Sequence, residues 1–128
     1  MDRIKWEKQE QAYRNEVMTE YINIFLKGDY RPFDKGTKIR NLMWCNLAKE
    51  RDRIIATDEL HKIRLQNSEN LFFYLERTEE LYITDFEAIC RFLDSLEPWE
   101  EVDAAIFDTT MEWTIAVTHE DFAILIGV

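Results

Sequence analysis

The stretch Glu112–Val128, EWTIAVTHEDFAILIGV, limits the fold more than any other part of the chain. Trp113, Ile115 and Val117 fall on one face of an extended backbone, and Thr114, Ala116 and Thr118 on the other. A period of two built from β-branched and aromatic residues reads as a strand. After a polar knot at His119-Glu120-Asp121, Phe122, Ile124 and Ile126 share one face, with Ala123 and Leu125 opposite. A run that is apolar on both faces suits a strand covered on both sides. The knot lacks the Asn-Gly pair of the tightest hairpins, so a loop of about three to five residues is expected. Upstream, Ala104–Phe107 reads as a short strand, and Asp108-Thr109-Thr110 supplies turn chemistry. The C-terminal third is therefore expected to be a three-strand antiparallel meander, its last residues held in the sheet.

Helical spacing dominates the first half. Tyr13, Val17, Tyr21 and Phe25 recur every four residues, with Met18, Ile22 and Leu26 beside them, which predicts a core-facing helix from about Arg3 to Leu26. Lys27-Gly28 ends it. Asp29–Gly36 reads as a loop. A second helix is expected from Thr37, with Ile39, Leu42, Met43 and Leu47 inward, and a third, short one after Thr57 or Asp58 as N-cap. One unbroken helix from Thr37 to Gln66 is the alternative. Leu71–Glu76 and Leu81–Ile83 read as strands. Thr84-Asp85-Phe86-Glu87 matches the T-x-x-E capping box and predicts a helix to about Leu96. Helices cluster first and strands later. The expected fold is thus α+β: two to three N-terminal helices plus one later helix, packed on one face of a four- to five-stranded antiparallel sheet that ends in the meander.

A chain of 128 residues reads as a single domain, 1–128. That size buries roughly two-thirds of its unfolded surface, so one core suffices with no metal, cofactor or disulfide. Cys45 and Cys90 lie in apolar contexts and read as reduced, buried thiols. No apolar run reaches the ~20 residues of a membrane span. The N-terminus MDRIKWEKQEQ carries no apolar signal region, which suggests a cytoplasmic protein.

Charge is unevenly placed. Between Glu76 and Asp121 there are 14 acidic residues and two basic ones, Arg77 and Arg91, a net of −12; the rest holds 12 acids and 14 bases, a net of +2. A field of one sign governs association more than fold. It repels nucleic acid and membrane surfaces and attracts basic protein.

No reaction is spelled out. His119-Glu120-Asp121 has a catalytic look, since an imidazole beside carboxylates serves as a base or a metal ligand. The plainer reading is a polar hairpin tip, because the other histidine, His61, is far away in sequence. Three glycines make no phosphate cradle, and no calcium loop is present. Leu96–Asp103, LEPWEEVD, is more informative. Trp99 beside a proline, among Glu97, Glu100, Glu101 and Asp103, has the composition of an aromatic anchor with steering charges. Its plain alternative is a tryptophan closing the core where helix meets strand. Asp108 and Glu112 are expected to extend the acidic patch.

The motif W-T-x-x-x-T-H-E-D at Trp113–Asp121, with I-F-D at Ile106–Asp108 and F-Y-L-E-R at Phe73–Arg77, resembles small bacterial proteins ending in a W-T…T-H-E hairpin. Some small acidic α+β proteins of this kind act as immunity partners of secreted toxins. The resemblance covers about the last sixty residues and carries over no catalytic residue. It implies a cytosolic, non-enzymatic protein that neutralises a basic toxin domain, most concretely a nuclease, whose cleft is basic because it binds polyanions. The partner-binding residues expected are Glu97, Trp99, Glu100, Glu101, Asp103, Asp108 and Glu112. A structural or regulatory interaction subunit is the alternative, and an enzyme using His119-Glu120-Asp121 a further one. Oligomeric state is left open.

Overall fold

The two-faced apolar strands seen in the sequence run through the centre of the molecule. A computed structural model describes residues 6–33 and 40–128. Within them lie strands β1 (Glu7–Lys8), β2 (Arg53–Ala56), β3 (Leu71–Leu75), β4 (Glu80–Thr84), β5 (Ala104–Phe107), β6 (Thr114–Val117) and β7 (Phe122–Ile126). They form one seven-stranded antiparallel sheet in the order β1-β4-β3-β5-β6-β7-β2. Two α-helices, α1 (Gln11–Phe25) and α2 (Phe86–Asp94), and two 3-10 turns, Met43–Asn46 and Thr57–Lys62, complete the described elements.

The register assigns each side chain to a face. Phe72, Phe107, Thr114 and Ile126 stand side by side across β3, β5, β6 and β7, and Tyr74, Ala105, Ala116 and Ile124 form the adjacent row. This face packs against Val17, Met18, Tyr21 and Phe25 of α1. Tyr21 is fully buried, and its hydroxyl hydrogen-bonds Thr114 Oγ1 at 2.9 Å, so its polar end is satisfied. The opposite face carries Phe73, Ile106, Ile115 and Leu125, covered by Phe86, Ile89 and Leu93 of α2 and by Leu60 of the second 3-10 turn. Each large apolar side chain buried in these rows contributes roughly 2 kcal/mol. Gly127 ends β7 at φ +73, where a Cβ would meet the Glu112 carbonyl at 2.5 Å, so glycine is required there.

The expected architecture is overturned in strand number and in layering. Helices cover both faces of seven strands, not one face of four or five. The meander β5-β6-β7 is present but sits inside the sheet, flanked by β3 and β2. One α-helix, not two or three, occupies the described N-terminal half. Helix one does not reach back through Glu7. Trp6 packs among Phe73, Tyr82 and Phe92, with its ring centroid 5.1 to 5.7 Å from theirs, and carries Glu7–Lys8 onto β4. The Arg3 start of that helix and the region of Thr37 and Ile39 lie outside the described residues. Neither two helices nor one fills the stretch beyond: Ile54 and Ile55, β-branched, pair with Ile124 and Ala123 at the sheet edge. Only a 3-10 turn follows. Asp85, not Thr84, caps α2, accepting from Ala88 N–H at 2.8 Å, while Glu87 pairs with Arg91 and so does not close the box.

Candidate functional site

Each end of the sheet collects its own loops. At one end β3 turns into β4, the chain from α2 enters β5, and β6 turns into β7. The predicted site residues divide between the two ends. Glu97 to Asp103 precede β5 and Asp108 and Glu112 follow it, so the two groups are separated by the strand's length, roughly 17 Å of extended chain. The seven do not form one patch.

Trp99 owes its position to a turn. Glu100 N–H donates to the Glu97 carbonyl at 2.9 Å, and Glu97 N–H donates back to Glu100 Oε1 at 3.0 Å. Pro98 stands at the second position of this turn, where its fixed φ is favoured, and Trp99 at the third. The indole is 76% exposed, so it does not close the core. Glu97, Glu100 and Glu101 around it are exposed. Glu101 pairs with Arg77 at 3.3 Å; Glu97 and Glu100 have no ion-pair partner among the described residues.

Asp103 is no surface charge. Its side chain is fully buried and gathers three distant segments. Oδ1 accepts from Trp44 Nε1 at 2.8 Å, from His119 N–H at 3.0 Å and from His119 Nδ1 at 2.9 Å; Oδ2 accepts from Arg77 Nε at 2.7 Å. A carboxylate only accepts, so the Nδ1 proton of His119 points at Asp103. Burial pushes this carboxyl up, but the hydrogen bonds from His119, Arg77 and Trp44 outweigh it and hold it below the usual carboxylate range. Beside it, Glu76 N–H donates to the Asp103 carbonyl at 2.9 Å, and the Glu76 carboxyl receives Met43 N–H at 3.1 Å on each oxygen. Burial dominates at Glu76 and lifts it to about 7.

Asp108 is also buried, accepting from Thr110 N–H at 2.9 Å and from Trp113 Nε1 at 3.0 Å. Glu112 is exposed beside it, at the far end of the sheet. The expected extension of the patch through Asp108 and Glu112 is therefore not built. Glu120 and Asp121, read from the sequence only as part of a catalytic cluster and not of the acidic patch, stand exposed on the hairpin that His119 ties to Asp103. The alternation of β5 and β6 carried that signal, because Ala104 pairs with Val117 and so places Asp103 beside the Thr118–Asp121 turn.

His119 turns toward Asp103 rather than toward Glu120 or Asp121. Its ring meets Trp44 edge-on at 6.0 Å, and Trp44 packs on the α1 side. His61 belongs to the 3-10 turn on the α2 side. The described residues bring no three of His, Cys, Asp and Glu into a metal-binding group. Cys45 is exposed, and its thiol is raised by desolvation and then by the negative charges of Asp103, Glu76 and Glu120, which disfavours a thiolate. Cys90 is likewise pushed up to about 11 by burial. No helix among the described residues is long and apolar enough to cross a membrane. No protein-family model, curated protein or solved structure matches this chain.

Proposed function

We propose that this chain is a cytosolic binding protein that captures a basic protein partner at the Trp99 end of the sheet. Its most concrete form is an immunity protein that neutralises a nuclease-type toxin domain. The observation that carries this reading is the exposed Trp99 indole on a hydrogen-bonded turn, flanked in sequence by the exposed Glu97, Glu100 and Glu101. A large aromatic side chain left in water is a cost unless something covers it, and a rigid turn holds it ready at little entropic expense. The surrounding carboxylates steer a basic surface toward it and make association fall with salt. Glu120 and Asp121 add to the same end. Asp103, whose side chain is fully buried, serves by holding the loop in place and does not itself face a partner; Arg77 links it to Glu101 from the exposed side.

The experiment uses a toxin domain encoded next to the gene for this chain. The purified domain is titrated with this protein, and growth is scored on co-expression. Trp99→Ala is expected to weaken binding by about 2 kcal/mol, as for an interface anchor. Glu100→Lys with Glu101→Lys is expected to slow association and flatten its salt dependence. No complex with such a domain, or a complex indifferent to all three changes, overturns the proposal.

A further inference from the structure

The sheet has a second feature that the Trp99 turn does not use: the outer edge of β2. Among the described residues β2 pairs with β7 and with nothing on its other side. The hydrogen-bond phase shows which groups are left open. Thr118 N–H donates to the Phe122 carbonyl, so Phe122, Ile124 and Ile126 turn their backbone groups toward β6. Thr57 N–H donates to the Asp121 carbonyl, which puts Ala123 and Leu125 in hydrogen-bonded pairs with Ile55 and Arg53. In an antiparallel ladder these pairs alternate. The N–H and C=O of Ile54 and the N–H of Ala56 therefore point away from the sheet, while the Ala56 carbonyl is taken up by the 3-10 turn that Ala56 caps.

The side chains beside this edge differ between the faces. On the α1 face Ile54 is 49% exposed, in register with Ile124. On the α2 face a groove of about 600 Å³ runs along the strand, lined by Arg53, Ile55, Glu59, Lys62, Ile63 and Arg64. Glu59 neutralises Lys62 at 2.6 Å. Arg53 and Arg64 have no ion-pair partner among the described residues.

We propose that β2 accepts an extended segment of a partner protein as an added strand, and that this segment alternates acidic and apolar residues. Main-chain hydrogen bonds to both backbone groups of Ile54 and to the N–H of Ala56 supply the pairing, and alternate side chains meet opposite faces. The acidic ones lie toward Arg53 and Arg64. The apolar ones lie against Ile54. A second β2 is the wrong occupant, because RIIA brings no carboxylate to that face.

The probe is an end-capped peptide of alternating glutamate and valine, with its lysine–valine counterpart as control. Binding to the full chain is followed by amide chemical shifts and hydrogen exchange. The glutamate peptide is expected to slow exchange at Ile54 and Ala56 and to bind at least about tenfold tighter than the lysine peptide. Ala56→Pro removes one outward N–H and leaves the bonds to β7 alone. Ala56 already sits at φ −66, the value proline imposes, so the variant is expected to fold and to bind the peptide roughly tenfold more weakly. Arg53→Glu with Arg64→Glu keeps the backbone edge and is expected to reverse the peptide preference, which stands as a test even if the proline variant misfolds. Unprotected amides at Ile54 and Ala56, equal binding of the two peptides, or protection of those amides without peptide in a β2-paired homodimer overturns the proposal.

Discussion

Two aspartates bracket β5, and each receives an indole N–H, yet they hold different things together. Asp108 works locally: its partners Thr110 and Trp113 lie two and five residues on, within the turn between β5 and β6. Asp103 works at long range, joining Trp44, Arg77 and His119 from 59, 26 and 16 residues away. A local acceptor shapes one turn. A long-range acceptor fixes three segments at the end of the sheet where Trp99 is displayed. The comparison teaches that two buried aspartates in one acidic stretch fasten a single turn at one place and three distant segments at another. Donor supply decides between them.

The largest expected effect breaks the pair apart. Asp103→Ala strands the indole N–H of Trp44, the His119 amide and one edge of Arg77 without their acceptor. Losing one partner of a buried, hydrogen-bonded ion pair costs about 3 kcal/mol or more. Asp108→Ala is expected to cost about 1–2 kcal/mol, since the groups it leaves sit in one turn near solvent. Urea unfolding of both variants measures the difference. Equal losses would show that the reach of Asp103 across the sequence adds nothing to its grip.

Protonation pulls the Asp103 end of the sheet in two directions. Glu76, next to Asp103, has a folded pKa near 7 because burial disfavours its charge, against an ordinary value of 4.5. Between these values the folded state holds a proton that the unfolded chain has lost, so stability falls as pH rises from about 4.5 to 7 and levels off above. The loss amounts to about 1–3 kcal/mol. Asp103 acts in the opposite sense. Its depressed folded pKa gives stability that is present above its unfolded value and lost as pH falls through the folded one. Unfolding free energies across pH 3 to 8 are expected to peak in the weakly acidic range, and Glu76→Gln is expected to flatten the upper limb. A Glu76→Gln curve that keeps the wild-type slope between pH 5 and 7 would remove Glu76 as its source.

Much of the sheet was legible and the layering was not. Strands β3, β5, β6 and β7 announce themselves by alternation, because their side chains meet apolar neighbours on both faces. β1 and β2 do not. Glu7–Lys8 is two charged residues recruited by Trp6, and Arg53–Ala56 sits in a charged run whose pairing with β7 comes from 70 residues further along. Such edge strands take their structure from the partner, which local periodicity does not see. The candidate site divided in the same way. The composition of Leu96–Asp103 pointed to the loop, and Trp99 is exposed as an anchor requires. The inward turn of Asp103 depends on Trp44 and His119, whose proximity is a product of topology alone.

The smallest expected effect sharpens the contrast most. Trp99 is 76% exposed, and Glu100, whose side chain accepts Glu97 N–H, closes the turn that presents it. If this turn exists for a partner rather than for the core, Trp99→Ala leaves stability within about 0.5 kcal/mol, the range of surface changes that touch no buried group. A tryptophan that closed a core would cost about 3–5 kcal/mol on the same truncation. Unfolding of Trp99→Ala beside Asp103→Ala therefore separates display from fastening on residues four apart. A loss from Trp99→Ala that matched the aspartate's would return the indole to the core and take the anchor away from the proposed interface.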